Sequence, residues 1–469
     1  MTAADLDALQ WVSDPHADAA IEAATRGAGT EERLRRIDAI NGVIREWQDN
    51  AGVAAWRPDA QLAVTPIGEA LAGYVKAAGP LPSWAHPERI ARAEQLFMDH
   101  GALSVTILFC ASLPECYVVP DLAEVLQTTG QLDKRAEHRI RTTGAMIFPV
   151  MMKGGLTSPQ GSGIAQLLKV RLIHAMVRNL ILRGSPEAAV AKMRAANDPA
   201  AACVEGICAV QPGDSFSRAL HVHGWDLAAN AVPNNQEELA YTLLTFSYVF
   251  LRSLRRLGIA FTREEEQDYL HAWNVAGHYI GIRRELMVDT MEEAEALFAR
   301  MQARGRADWQ RKAGQRDPRP ELAAALVDAM KSVIPSGPFK AFPVLLTRRL
   351  MEKASIRDLA LDGHVSWIAR TLFAIIMGAA RGIDTVVRLF DSRFSISRML
   401  TRAIGYRLTC ALLMSQTREL SVPDRLRPGI RALIGGWGRD PDASSWMNAL
   451  EDRMTTAGDW SALERPAAR

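Results

Sequence analysis

The stretch that most constrains this chain is residues 169–178, Lys-Val-Arg-Leu-Ile-His-Ala-Met-Val-Arg. Counting three and four residues either way from His174 reaches Leu167, Val170, Arg171, Val177, Arg178 and Ile181. Residues at those intervals share one face of a helix. That face is mostly apolar and has to be buried, so the segment predicts a core helix with one histidine on its inner side. Gly184-Ser-Pro186 supplies the stop signal after it.

The rest of the chain repeats the helical period. Leu34, Ile37, Ile40, Val43 and Ile44 give it over 31–50, and Ile90, Ala93, Leu96 and Phe97 give it after the proline-rich entry at 79–88. Residues 103–113 are dense in apolar side chains and fit a buried helix or a strand. A helix over 132–152 carries Arg139, Arg141, Thr142 and Thr143, with Pro149 placed to kink or end it. Asn235 caps an apolar helix that runs to Leu257, and Thr262-Arg-Glu-Glu265 is a capping box for the next one. Further helices are predicted over 322–334, 342–353, 367–391 and 396–415. No convincing strand alternation occurs, so the expected fold class is all-α, a large helical bundle.

Charge narrows the function. The 55 basic and 53 acidic side chains nearly cancel, leaving no general field that would attract nucleic acid. Five cysteines, with no Cys-x-x-Cys pair, exclude a disulfide framework or a zinc site and suit a reducing cytoplasm. The N-terminus has no export signal, and no apolar run approaches the roughly 20 residues that span a bilayer. The glycine-rich loop 154–163 lacks the spacing and the lysine of a phosphate loop and reads as a connection. Residues 304–320 are charged and poor in apolar side chains, as in an exposed linker. The expected organisation is an N-terminal wrap (1–78), a core (79–303), that linker (304–320), C-terminal helices (321–438) and a tail (439–469).

Chemistry rests mainly on His174. Alone, it reads either as a core histidine bonded to a carbonyl or as a metal ligand. Arg171 and Arg178 flank it, and a buried arginine needs an anionic partner. A haem would supply iron for the imidazole and propionates for both guanidinium groups. His278 reads as a core histidine, and His221 and His223 as surface or loop residues. Glu115 and Glu124 are candidate bases in a pocket.

Several stretches then match, in order, a known family. They include Leu81-Pro-Ser-Trp84, Ser112-Leu-Pro-Glu115, Arg139-x-x-x-Thr143, Gly154-Gly155 and Val170–Arg178. Beyond them lie Asn235–Thr242, Trp273–Gly281 and Leu420-Ser-Val-Pro423. Together they resemble the oxygenases that contain the bacterial latex clearing proteins (rubber oxygenases) and the fungal MpaB enzyme, which cuts a farnesyl side chain. The resemblance implies a helical fold, in part globin-like, around haem b. It makes His174 the proximal iron ligand and sets Arg139 and Thr143 beside the haem as catalytic and cofactor-binding residues. Latex clearing proteins can place a lysine on the iron just before that threonine; this chain has Thr142 there. The implied activity is a haem b-dependent oxygenase that cleaves the C=C bond of an isoprenoid or similar apolar alkene with dioxygen. The alternatives are another haem-dependent oxidation of a small apolar metabolite, or a non-enzymatic haem-binding or sensor protein.

Overall fold

The computed structural model describes residues 1–387, apart from 133–135, 185–202, 205–206, 209–215, 260, 313–315 and 333–337. The expected helix over 396–415, the stretch Leu420–Pro423 and the tail lie outside the described residues. As the periodicity predicts, the fold is all-α. Its one strand pairing among the described residues is a short antiparallel ladder, Cys203–Val204 against Ile207–Cys208.

The first part of the chain is a run of helices: α1 (Ala3–Leu9), α2 (Pro15–Ala24), α3 (Thr30–Ile44), α4 (Asn50–Ala55) and α5 (Pro66–Ala78). Then come α6 (Pro87–Asp99), α7 (Gly101–Ile107), α8 (Leu113–Cys116), α9 (Pro120–Leu132), α10 (Ala136–Met151) and α11 (Gly163–Arg183). The dense apolar stretch after residue 103 is helical, but its middle, Leu108–Ser112, is wound as a π-helix. That widening sets α7 and α8 in different registers, and such insertions recur at functional sites. Pro149 lies inside α10 without ending it before Met151.

The caps form where the side chains call for them. Asn235 Oδ1 accepts the Glu238 amide at 3.0 Å, at the start of the Gln236–Phe246 helix. Thr262 and Glu265 close their reciprocal box at the start of the Arg263–Ile280 helix. Each satisfies amides that the first turn of a helix leaves without partners. Apolar side chains from Leu6 to Met377 join one hydrophobic cluster.

The charged stretch 304–320 differs from the expected exposed linker. Arg304 to Arg311 continue the Met291–Arg311 helix, and Arg304 and Arg319 are buried. Arg304 Nη2 lies 2.6 Å from Glu237 Oε2, and Arg319 Nη2 lies 2.8 Å from Asp317 Oδ2. Buried charge is tolerated when it is paired. Charge density alone therefore did not mark an exposed segment.

Candidate functional site

The site is organised by α11. Its N-terminus is fixed by the glycine-rich loop that precedes it, which acts as a tightly tied connection. Asn50 Nδ2 donates to the Gly155 and Ser158 carbonyls, both at 2.9 Å, and Asn50 Oδ1 accepts the Ile164 amide at 3.0 Å. Glu94 Oε2 accepts the Gly154 amide at 2.7 Å. A Cβ on Gly155 would stand 2.2 Å from the Pro149 carbonyl oxygen, so the close return of the loop onto α10 requires glycine. Past this anchor, α11 packs against α2, α10, the Phe216–His223 helix and the Arg263–Ile280 helix.

His174 sits mid-helix on the apolar side, with Leu167, Val177 and Ile181 buried around it. Its Nδ1 is enclosed and has no hydrogen-bond partner. Burial, reinforced by the positive charge of Arg178, pulls its pKa down to about 4. At neutral pH the ring is an uncharged imidazole with one nitrogen unclaimed by the protein. A core histidine ordinarily satisfies its nitrogens, and the neutral ring is the form that ligates a metal.

The flanking arginines depart from expectation. Neither awaits an anion, because α2 and its N-terminal cap residue Asp14 supply both. Arg171 forms a two-pronged pair with Asp14, donating from Nε to Oδ2 and from Nη2 to Oδ1 (2.7 Å). Arg178 Nη2 and Nε reach Asp18 Oδ1 at 2.6 and 2.9 Å, and Nη1 donates to the Asn234 carbonyl at 3.0 Å. Further along, Arg183 Nη2 meets Glu22 Oε2 at 2.6 Å. Asp14, Asp18 and Glu22 follow one another at four-residue steps on α2, making an ion-pair ladder with α11. Planar guanidinium–carboxylate pairing of this kind fixes one helix against another. Cofactor propionates would have to displace Asp14 and Asp18, so Arg171 and Arg178 are better described as struts of the His174 helix.

Arg139 and Thr143 fall one turn apart on α10, which packs along α11. Thr143 is half-buried. The side chains of Arg139 and Thr142 lie outside the described residues.

Glu115 is not a free base. Its carboxylate is wholly buried and receives Arg252 Nη2 at 2.6 Å and Gln302 Nε2 at 2.8 Å. Glu124 is partly buried, and burial raises its pKa, opposed by Lys312. His278 is only partly buried and lies edge-on to Trp84 with 6.1 Å between ring centres. His221 is buried within the Phe216–His223 helix and is not a surface residue. Leu220, Val222 and Trp225 bury that segment, and burial lowers the His221 pKa. No group of three or more His, Cys, Asp or Glu is placed to hold a metal ion among the described residues. His221 Nδ1, like that of His174, is enclosed without a hydrogen-bond partner; a haem iron needs only one protein ligand, a role that the resemblance of the 170–178 motif gives to His174.

Residues 218–386 match the family described as "ER-bound oxygenase mpaB/B'/Rubber oxygenase, catalytic domain". That span takes in Asn235–Thr242 and Trp273–Gly281 and begins after His174. A curated relative, the rubber oxygenase of Streptomyces sp. (strain K30), is 22% identical over 263 residues, covering 55% of this chain and 52% of its own length. The chain thus spans about half the length of that relative. Among solved structures it is similar to latex clearing protein LCP in the closed state, with a TM-score of 0.60 and 16% identity. That match covers 88% of this chain and 95% of the other. By its fold the protein is an all-helical one of the latex clearing protein architecture. In part of its sequence the chain is thus similar to the mpaB and rubber oxygenase catalytic domain, and in its fold to latex clearing protein.

Among the described residues no single helix is long and apolar enough to cross a membrane. One pair, Pro87–Asp99 with Leu103–Cys116, passes by length and composition together but is bent by 86°. Both members contribute buried side chains to the core.

Proposed function

We propose that this chain is a haem b-dependent oxygenase in which His174 would hold the iron, opening the C=C bond of an isoprenoid or similar apolar alkene. The observation that carries the reading is the neutral imidazole of His174, held mid-helix with an enclosed, unpartnered nitrogen. The family match and the relative named rubber oxygenase support the reaction class.

The fit to haem is one-sided. His174 suits iron, whereas Arg171 and Arg178 are already paired within the protein. Bound haem would supply the dioxygen chemistry. The chain's own part is to fix the imidazole and keep it neutral. The ladder of α2 and the Asn50 and Glu94 ties hold α11 at both ends, so the ring cannot drift. Leu167, Val177 and Ile181 cover one side of the partly exposed ring with apolar surface of the kind that suits a hydrocarbon substrate. Arg139 and Thr143, on α10 packed along α11, are the polar residues that the resemblance to the latex clearing proteins would set beside the haem.

The test is turnover. The full chain, loaded with haem, is incubated with squalene and with oligoisoprenes under dioxygen, and the products are examined for aldehyde and ketone ends. Carbonyl-ended fragments are expected. Haem-loaded protein that leaves every such alkene intact would overturn the assigned reaction.

A further inference from the structure

Away from His174, one outer surface is unusually apolar. The Trp367–Val387 helix packs against the Phe342–Leu350 helix and the Pro338–Ala341 turn. Ala369, Phe373 and Met377, four residues apart, make its inner side. Ala369 and Met377 are buried, and Phe373 meets Phe342 edge-on at 5.2 Å. The outer side is bare. Trp367, Ile368 and Ile375 are 72%, 53% and 61% exposed, with Thr371, Ala374 and Gly378 exposed among them. Phe339, 45% exposed, adds to the patch from the adjoining turn, where it touches Phe342 at 5.3 Å. Exposed apolar side chains are ordinary singly, but a group of them marks an interaction surface.

Charge indicates what that surface meets. Residues 329–351 and 363–383 contain no Asp or Glu, in a chain whose two signs nearly balance. Their basic residues are Lys331, Lys340, Arg348, Arg349, Arg370 and Arg381. Lys340 and Arg370 are exposed, and neither has a carboxylate partner among the described residues. Asp362, just before the helix, acts instead on Arg348, whose guanidinium bonds the Leu361 and Gly363 carbonyls at 2.6 Å. A second copy docked on the same face would set these cations against their own kind. The apolar run Trp367–Gly378 is about 18 Å long, too short to cross a hydrocarbon layer of roughly 30 Å. A helix with an apolar outer face, a tryptophan at one end and unpaired cations beside it suits the plane of a membrane surface. The lack of acids suits that surface to anionic lipid.

We infer that this face is a docking surface for an anionic phospholipid bilayer. Trp367, Ile368 and Ile375 enter the boundary between head groups and acyl chains, and Lys340 and Arg370 meet the phosphates. The docking is independent of His174 and stands whether or not the chain cleaves alkenes.

The experiment sediments the full chain with vesicles of phosphatidylcholine, alone or mixed with phosphatidylglycerol. Saturable binding to the anionic vesicles is expected, about tenfold or more tighter than to the neutral ones and weakened by salt. Ile375→Asp, and Lys340→Gln combined with Arg370→Gln, should each weaken it about tenfold or more. These positions are exposed, so circular dichroism and thermal unfolding should match the parent. Val64→Asp, at an apolar position 85% exposed elsewhere, should bind as the parent does. Brominated acyl chains should quench tryptophan fluorescence in the parent, and that quenching should be largely lost in Trp367→Phe. A full chain that leaves anionic vesicles unbound, whether another part of the chain or a second copy covers the face, overturns the inference. Binding unchanged in Ile375→Asp, or quenching unchanged in Trp367→Phe, overturns it equally.

Discussion

Arg178 and Asp18 join the His174 helix to α2 by a two-pronged ion pair, with Nη2 to Oδ1 at 2.6 Å and Nε to Oδ1 at 2.9 Å. The same guanidinium donates to the carbonyl of Asn234, which is held at a positive φ of 52°. One arginine thus ties together α2, α11 and the turn before the Gln236–Phe246 helix.

Removing the acid from that pair strands a buried charge. Asp18→Ala should cost about 2 kcal/mol. That lies below the range for a fully enclosed pair, because the Asp18 side chain is 31% exposed. Urea unfolding of the single variant and of Asp18→Ala with Arg178→Met checks it. The double variant should recover part of the loss.

Gly281 ends the Arg263–Ile280 helix in the left-handed region, with φ 93°. A Cβ there would stand 2.4 Å from Asp14 Oδ2 and 2.7 Å from Arg171 Nε. Gly281→Ala therefore combines backbone strain with damage to the Arg171–Asp14 pair, and a loss of about 2 kcal/mol or more is expected. Thermal unfolding, compared with Gly258→Ala, separates the two causes. Gly258 also has positive φ (87°), but a Cβ there would meet nothing within 4 Å.

Glu115 serves stability in this structure. Glu115→Ala leaves Arg252 buried beside Tyr248 and Phe298 without its carboxylate. A loss of about 3 kcal/mol or more is expected in equilibrium unfolding. A variant as stable as the parent would contradict the network.

His271 gives the protein an acid-sensitive latch. Its Nε2 accepts the backbone amide of His86 at 2.9 Å, at the start of α6. Burial, then Arg89 and His86, draw its pKa down to about 4 from an ordinary 6.5. Between those values the unfolded chain binds the proton and the folded one does not. This contribution is therefore complete above about pH 6.5 and is lost as pH falls towards 4. Stability measured across that window should fall with acidification. In His271→Gln, whose amide oxygen can accept the same bond, the slope should be smaller by up to about one proton.

The sequence reads well wherever a local rule acts alone. The capping box at Thr262, the Asn235 cap and the helical period of α3, α6 and α11 depend on neighbours within a few residues. Partner choice does not. Arg171 and Arg178 ask for anions, but nothing local says whether a cofactor or the chain supplies them. The answer lies some 157–160 residues upstream. Its signal, Asp14, Asp18 and Glu22 at four-residue steps, is meaningful only once α2 is known to lie along α11. Likewise, 304–320 reads as a linker by charge, because the pairing of Arg304 with Glu237 is invisible until two distant helices meet. The unpartnered nitrogen of His174 could not be read from sequence, since it depends on which carbonyls fail to approach it.

That nitrogen carries the central claim, and haem binding tests it most directly. The parent chain, Arg171→Gln and His174→Ala are each reconstituted with haem and their absorption spectra compared. This account predicts a Soret band in the parent and in Arg171→Gln, and its loss or collapse in His174→Ala in protein that remains folded by circular dichroism. A His174→Ala protein that binds haem with the parent's spectrum, or a parent that stays colourless, would contradict it.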